Sequence, residues 1–154
     1  MAEEIEVNMG ELKVAKAPDK LVAMGIGSCV AITFYDSELK VGALAHIMLP
    51  DSTKGNPVSN PIKYADLAVD EVIKEMAKMG SKKEDLEAKI VGGAKMFPHI
   101  NNPSIGVGRR NIEAVRKKLG EVGIKLVGEA VGGSVGRSVE FSTATGGVAV
   151  RTKI

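Results

Sequence analysis

Two side chains pose the chemical question of this sequence. Cys29 is the only cysteine and His46 is one of two histidines. A thiol and an imidazole within hydrogen-bond reach form a minimal activated nucleophile: an imidazolium favours the thiolate, and the same ring can protonate a departing amine. Before Cys29 runs Gly25-Ile26-Gly27-Ser28, a tight loop of small residues that lets a substrate approach the backbone. The N–H groups around Gly27 and Ser28 suit an oxyanion. The other role of a lone thiol is that of a small buried hydrophobe, so its neighbours must decide. One cysteine excludes an internal disulfide and a CxxC metal cluster.

A hairpin brings the pair together. Val30, Ile32 and Phe34 alternate with Ala31, Thr33 and Tyr35, and the alternation resumes over Val41, Ala43, Ala45, Ile47 and Leu49. A two-residue turn at Ser37-Glu38 faces Val30 with Ala45, Ile32 with Ala43 and Phe34 with Val41, giving one wholly apolar face. A one-residue slip mixes the faces, so burial selects this parity. The same register sets Cys29 opposite His46, on the face of Thr33 and Leu44, with Cβ atoms about 4.5–5.5 Å apart. A two-residue shift makes the relation diagonal.

The rest of the chain supplies the support. Short extended segments are expected at 3–7, 11–16 and 21–24, and strands at 88–91, 124–131, 136–143 and 147–153. Residues 62–79 read as an amphipathic helix with Ala65, Ala68, Val69, Val72, Ile73 and Met76 on one stripe, closed by Gly80. A second helix is expected over 109–119, followed by Gly120, while 50–61 and 94–108 read as irregular. The result is one domain over 1–154, mixed α and β, with mostly antiparallel strands and two main helices. Its 154 residues can bury a core, and 44% hydrophobic with 26% charged residues places it among soluble globular chains.

A net charge of +2 and an aromatic content of 3% argue against a polyanion partner or a base-stacking platform. No apolar run nears the roughly 18 residues that span a bilayer, and MAEEIEV is acidic where a signal peptide is basic; the chain is read as cytoplasmic.

Several ordered runs extend the reading: GIGSCVAITFYD, GALAHIMLPDS, KYADLAVDEV, LEAKIVGGAKMF, IGVGRRNIEAVRKKL and VGGSVGRSVEF. Together they resemble the chemoreceptor glutamine deamidases, the CheD family, over nearly the whole chain. The resemblance implies a three-layer α/β sandwich shared with deamidating bacterial toxins, with Cys29 as nucleophile, His46 as base, and no metal or organic cofactor. It implies a substrate glutamine on the cytoplasmic helices of methyl-accepting chemotaxis receptors, converted to glutamate through a cysteine thioester. It also implies a CheC-type phosphatase as partner, and in some members attack on receptor methyl esters. In the family a Thr six residues before the cysteine orients the His; here that position is Ala23, so a backbone carbonyl, Ser28 or Thr33 must hold the ring.

Other positions carry two readings each. Gly92-Gly93 ends a strand or lines the substrate cleft. Arg109 and Asn111, with Arg110, open a helix that two arginines do not suit, so they are either a solvated helix end or contacts for substrate or partner. Arg137 matches the family run and serves either stability or substrate. His99 reads as a loop histidine. Met76 and Met79, with Met96 and Phe97, either pack or form a docking patch. The competing function is a regulatory protein that binds receptors and the phosphatase with little or no turnover; an unrelated Cys/His amidase is a third.

Overall fold

The computed structural model describes residues 2–52, 60–95 and 106–153; His99, Met96 and Phe97 lie outside them. Nine strands and two helices follow in the order β1 (Glu4–Glu6), β2 (Leu12–Lys16), β3 (Lys20–Ile26), β4 (Val30–Asp36), β5 (Val41–Ile47), α1 (Ala65–Lys78), β6 (Glu87–Gly92), α2 (Val107–Val122), β7 (Lys125–Val131), β8 (Gly136–Ser142) and β9 (Val148–Lys153) among the described residues. They form a four-stranded sheet, β1-β3-β8-β9, and a five-stranded sheet, β2-β5-β4-β6-β7. Only the β1–β3 and β6–β7 pairs are parallel.

The layers follow from what each face must bury. One face of the five-stranded sheet presents Val30, Ile32, Phe34, Ala43, Ala45 and Ile47, which pack with the buried stripes of α1 and α2 in one cluster. This is the apolar hairpin face expected from the alternation. The opposite face presents Ala31, Leu44 and Val91 to Leu21, Ala23, Val139 and Phe141 of the four-stranded sheet, in a second cluster. Sheet, sheet and helices thus make the expected three-layer α+β sandwich.

The hairpin register differs from the expected one. Val30 pairs with Ile47, Ile32 with Ala45 and Phe34 with Ala43, so Ala31 and not Cys29 lies opposite His46. The cause is the turn. Asp36 Oδ1 accepts from the N–H groups of Glu38 and Leu39, and Lys40 takes a left-handed conformation at φ 52°. An aspartate that bonds the backbone ahead of it stabilises a longer loop than the two-residue turn. Parity survives the shift, and Cys29 becomes diagonal to His46.

α2 also runs further than expected. It passes through Gly120 and ends at Gly123, whose φ of 82° is left-handed and whose N–H bonds Leu119 O at 3.0 Å. The extra turn packs Val122 against the helix-side cluster, offsetting the roughly 1 kcal/mol helix penalty of glycine. α1 matches its expected stripe, with Met76 buried and Met79 packed partly against the same cluster.

Candidate active site

β3 reaches the site through an irregularity between Ala23 and Ile26, where Gly25 has φ 62°. Residues 27–29 then run outside any strand before β4 begins. Three successive carbonyls of this loop are held from the junction of β6 and α2. Gly27 O accepts from Ala94 N at 2.9 Å, Ser28 O from Asn111 Nδ2 at 2.9 Å, and Cys29 O from Gly93 N at 2.8 Å. Glycine makes this approach feasible: a Cβ on Gly92 would stand 2.3 Å from Cys29 O, and Gly92 has φ 116°. Arg137 Nη1 donates to Gly92 O at 3.4 Å, so this half-buried side chain braces the strand end behind the loop.

His46 is fixed from the other side. Its N–H bonds Glu11 O at 3.0 Å, its carbonyl accepts from Gly10 N at 2.8 Å, and ring Nδ1 lies 3.4 Å from Val7 O. A carbonyl can only accept, so Nδ1 carries the proton and Nε2 presents its lone pair. Nε2 is buried and has no partner among the described residues. Burial holds the imidazole below its ordinary value of 6.5, opposed by the bond to Val7. Burial likewise pushes the Cys29 thiol above 9.0, opposed by its own backbone N–H, which favours the thiolate. Burial therefore favours the neutral form of both groups, a thiol and an imidazole.

Cys29 packs against the inter-sheet cluster while remaining partly accessible, whereas His46 is only 1% exposed. His46 lies on the same face of the sheet as Leu44 of that cluster.

Ala23 is fully buried in the same cluster and offers the ring nothing polar. The ring's hydrogen-bond partner is the backbone carbonyl of Val7, itself placed by Val7 N bonding Val22 O at 2.7 Å. Thr33 points its hydroxyl instead toward Lys89 O at 3.5 Å.

The remaining expected residues separate into braces and surface. Gly92, Gly93 and Arg137 support the Cys29 loop from beneath. Asn111 is completely buried, and its amide bridges Ser28 O and Met48 O. Arg109 is highly exposed and pairs with Glu113 one helical turn on. A groove of about 650 Å³ runs along α2 beside Leu49, Pro50, Val107, Arg110 and Ala114, and neither Cys29 nor His46 lines it. Among the described residues no three His, Cys, Asp or Glu side chains cluster as metal ligands, and no helix is long and apolar enough to cross a membrane.

Sequence reasoning missed Val7 and Gly10, because partnership through a main-chain atom leaves no mark on residue type. Asn111 did leave one. It stands on the buried stripe of α2 with Val115 and Leu119, where a polar side chain is out of pattern.

Fold and site define a two-sheet and helix sandwich with a partly exposed thiol and a buried imidazole toward its inter-sheet face. A family model, CheD chemotactic sensory transduction, matches residues 48–152. The chain belongs to the CheD family. It is 48% identical over 151 residues to the probable chemoreceptor glutamine deamidase CheD of Clostridium novyi (strain NT), covering 97% of this chain and 93% of the relative. It is 45% identical over 150 residues to the protein of the same description from Clostridium botulinum (strain Hall), with the same coverage. The crystal structure of the Bacillus licheniformis hypothetical protein YfiH matches with TM-score 0.51 and 16% identity over 78% of this chain and 50% of that one, a likeness of fold.

Proposed function

We propose that this chain is a cytoplasmic protein-glutamine deamidase that converts glutamines on the helical region of chemotaxis receptors to glutamate. The observation that carries the reading is the buried Nε2 of His46, without a partner among the described residues, on the same face as the partly exposed Cys29. The name of its relatives, chemoreceptor glutamine deamidase, supplies the substrate class.

Cys29 Sγ attacks the carboxamide carbon while its proton passes to His46 Nε2. The C=O π pair moves onto oxygen, and backbone N–H groups of residues 28 and 29 hold that oxyanion. The tetrahedral adduct collapses, the C–N bond breaks, and His46 returns the proton to the leaving ammonia. His46 then deprotonates water, which attacks the thioester; the C–S bond breaks, and glutamate and the Cys29 thiol are released. The sequence needs no cofactor. A CheC-type phosphatase is the proposed protein partner.

A second reading, a slow or silent regulatory binder, draws on the long 3.4 Å bond that orients His46 and on the missing hydroxyl at Ala23. Incubation with a glutamine-containing receptor fragment separates the two. Each converted amide gains about 1 Da, and Cys29→Ala abolishes the gain. No gain with the wild-type protein, or an equal gain with Cys29→Ala, rejects the deamidase.

A further inference from the structure

We infer that Asn111 is a positioning residue that sets the orientation of the Cys29 N–H by gripping the peptide in front of it. The inference rests on the reading of Cys29 as nucleophile. Both bonds of the Asn111 amide come from Nδ2, to Ser28 O at 2.9 Å and to Met48 O at 3.0 Å. Both acceptors are carbonyls, so the NH₂ end must face them and the amide cannot be turned round.

The Ser28–Cys29 peptide is planar and trans, so its carbonyl and its N–H point in opposite directions. Holding Ser28 O against α2 therefore turns the Cys29 N–H away from the helix. That N–H favours the thiolate of its own side chain. The flanking carbonyls, Gly27 O and Cys29 O, are held by main-chain N–H groups. Asn111 is the side chain among the three holders. Its second bond, to Met48 O, ties the loop to the end of the strand carrying His46. One amide thus joins the nucleophile's loop to the base's strand.

The cost of this arrangement marks it as more than packing. Asn111 is fully buried, and its Oδ1 has no partner among the described residues. A buried acceptor left unpaired is destabilising, and the stripe it occupies otherwise carries Val115 and Leu119.

Asn111→Ala and Asn111→Asp in the full chain test the assignment. On a receptor fragment kcat should fall about 10²-fold, as when one oxyanion donor is lost, with KM within about twofold. Iodoacetamide should alkylate Cys29 about tenfold more slowly near neutral pH, because the thiolate loses its N–H. A fold merely loosened at this position would expose Cys29 and speed alkylation. Faster alkylation, or a change confined to KM, overturns the proposal. If neither variant folds, NMR of the wild-type protein decides: the Cys29 amide proton should shift as the thiol ionises, and an amide indifferent to the thiol overturns it. Alkylation and NMR require no substrate, so failure of the deamidase reading shows separately, as absent turnover by the wild type.

Discussion

Residues 27–29 lie outside every strand, half exposed, and are gripped through their carbonyls by the junction of β6 and α2. His46 stands inside an internal strand, almost fully buried, paired to β4 on one side and to the 7–11 segment on the other. Cys29 is thus supported by residues late in the chain and His46 by residues at its start. Each is vulnerable in a different place. His46 is fixed by a sheet that tolerates small losses, while Cys29 depends on a few close backbone approaches that tolerate none.

Gly92→Ala attacks the weaker support and should have the largest effect. The added Cβ would lie 2.3 Å from Cys29 O and 2.6 Å from Ile26 Cγ2, at a φ of 116° that L side chains rarely adopt. Strain and overlap together should destabilise the fold by about 3 kcal/mol in urea titrations and remove most deamidation. Gly25→Ala is the control that sharpens this, since Gly25 has φ 62° but nothing within 4 Å of its Cβ position. It should cost only about 1 kcal/mol, the backbone part. Equal losses at the two glycines would mean that close approach is not what holds the loop.

The support of His46 should yield less. Asn60 Nδ2 donates to Gly10 O at 2.9 Å, and Gly10 N in turn holds His46 O. Asn60 Oδ1 also accepts from Ile62 N at 3.0 Å, capping the short helical turn Pro61–Lys63. Asn60→Ala removes both bonds and should cost about 1–2 kcal/mol by chemical denaturation. Asn60→Asp keeps the cap and loses the bond to Gly10, so it should cost roughly half as much. If the aspartate variant loses as much as the alanine one, the tie to Gly10 carries the whole effect.

This contrast also explains what the sequence disclosed. Alternation from Val30 to Ile47 was legible because period-two burial repeats over many residues, and the helix-side cluster follows it residue for residue. The register was not, because one Asp36 side chain chose a longer turn and moved Cys29 from opposite His46 to diagonal. Cys29 and His46 stand out by residue type, and the ring's orienting partner does not: Val7 acts through its carbonyl, which every residue possesses. Arg109 and Asn111 are near neighbours that read alike in sequence as the start of a helix, yet one is solvated and the other buried. The inward face of α2, which carries Asn111 with Val115 and Leu119, closes onto Gly93 and Ala94 through a Gly108 whose Cβ would lie 2.5 Å from Ala94 O.

The smallest expected effect lies on His46 itself and concerns pH. Burial lowers the folded-state value of His46 below 6.5, while the unfolded chain titrates near 6.5. Between those two values the unfolded state binds more protons than the folded one, so stability is full above about pH 6.5 and declines as pH falls toward the folded value. Urea midpoints should therefore drop on acidification across this window, and His46→Gln, which does not titrate, should flatten the slope. The same lowered value keeps Nε2 unprotonated into mild acid, so the acid limb of kcat/KM should lie below pH 6.5. A limb above 6.5 would mean that the imidazole is charged at rest and paired with a thiolate, so that burial does not hold the two groups in their neutral forms.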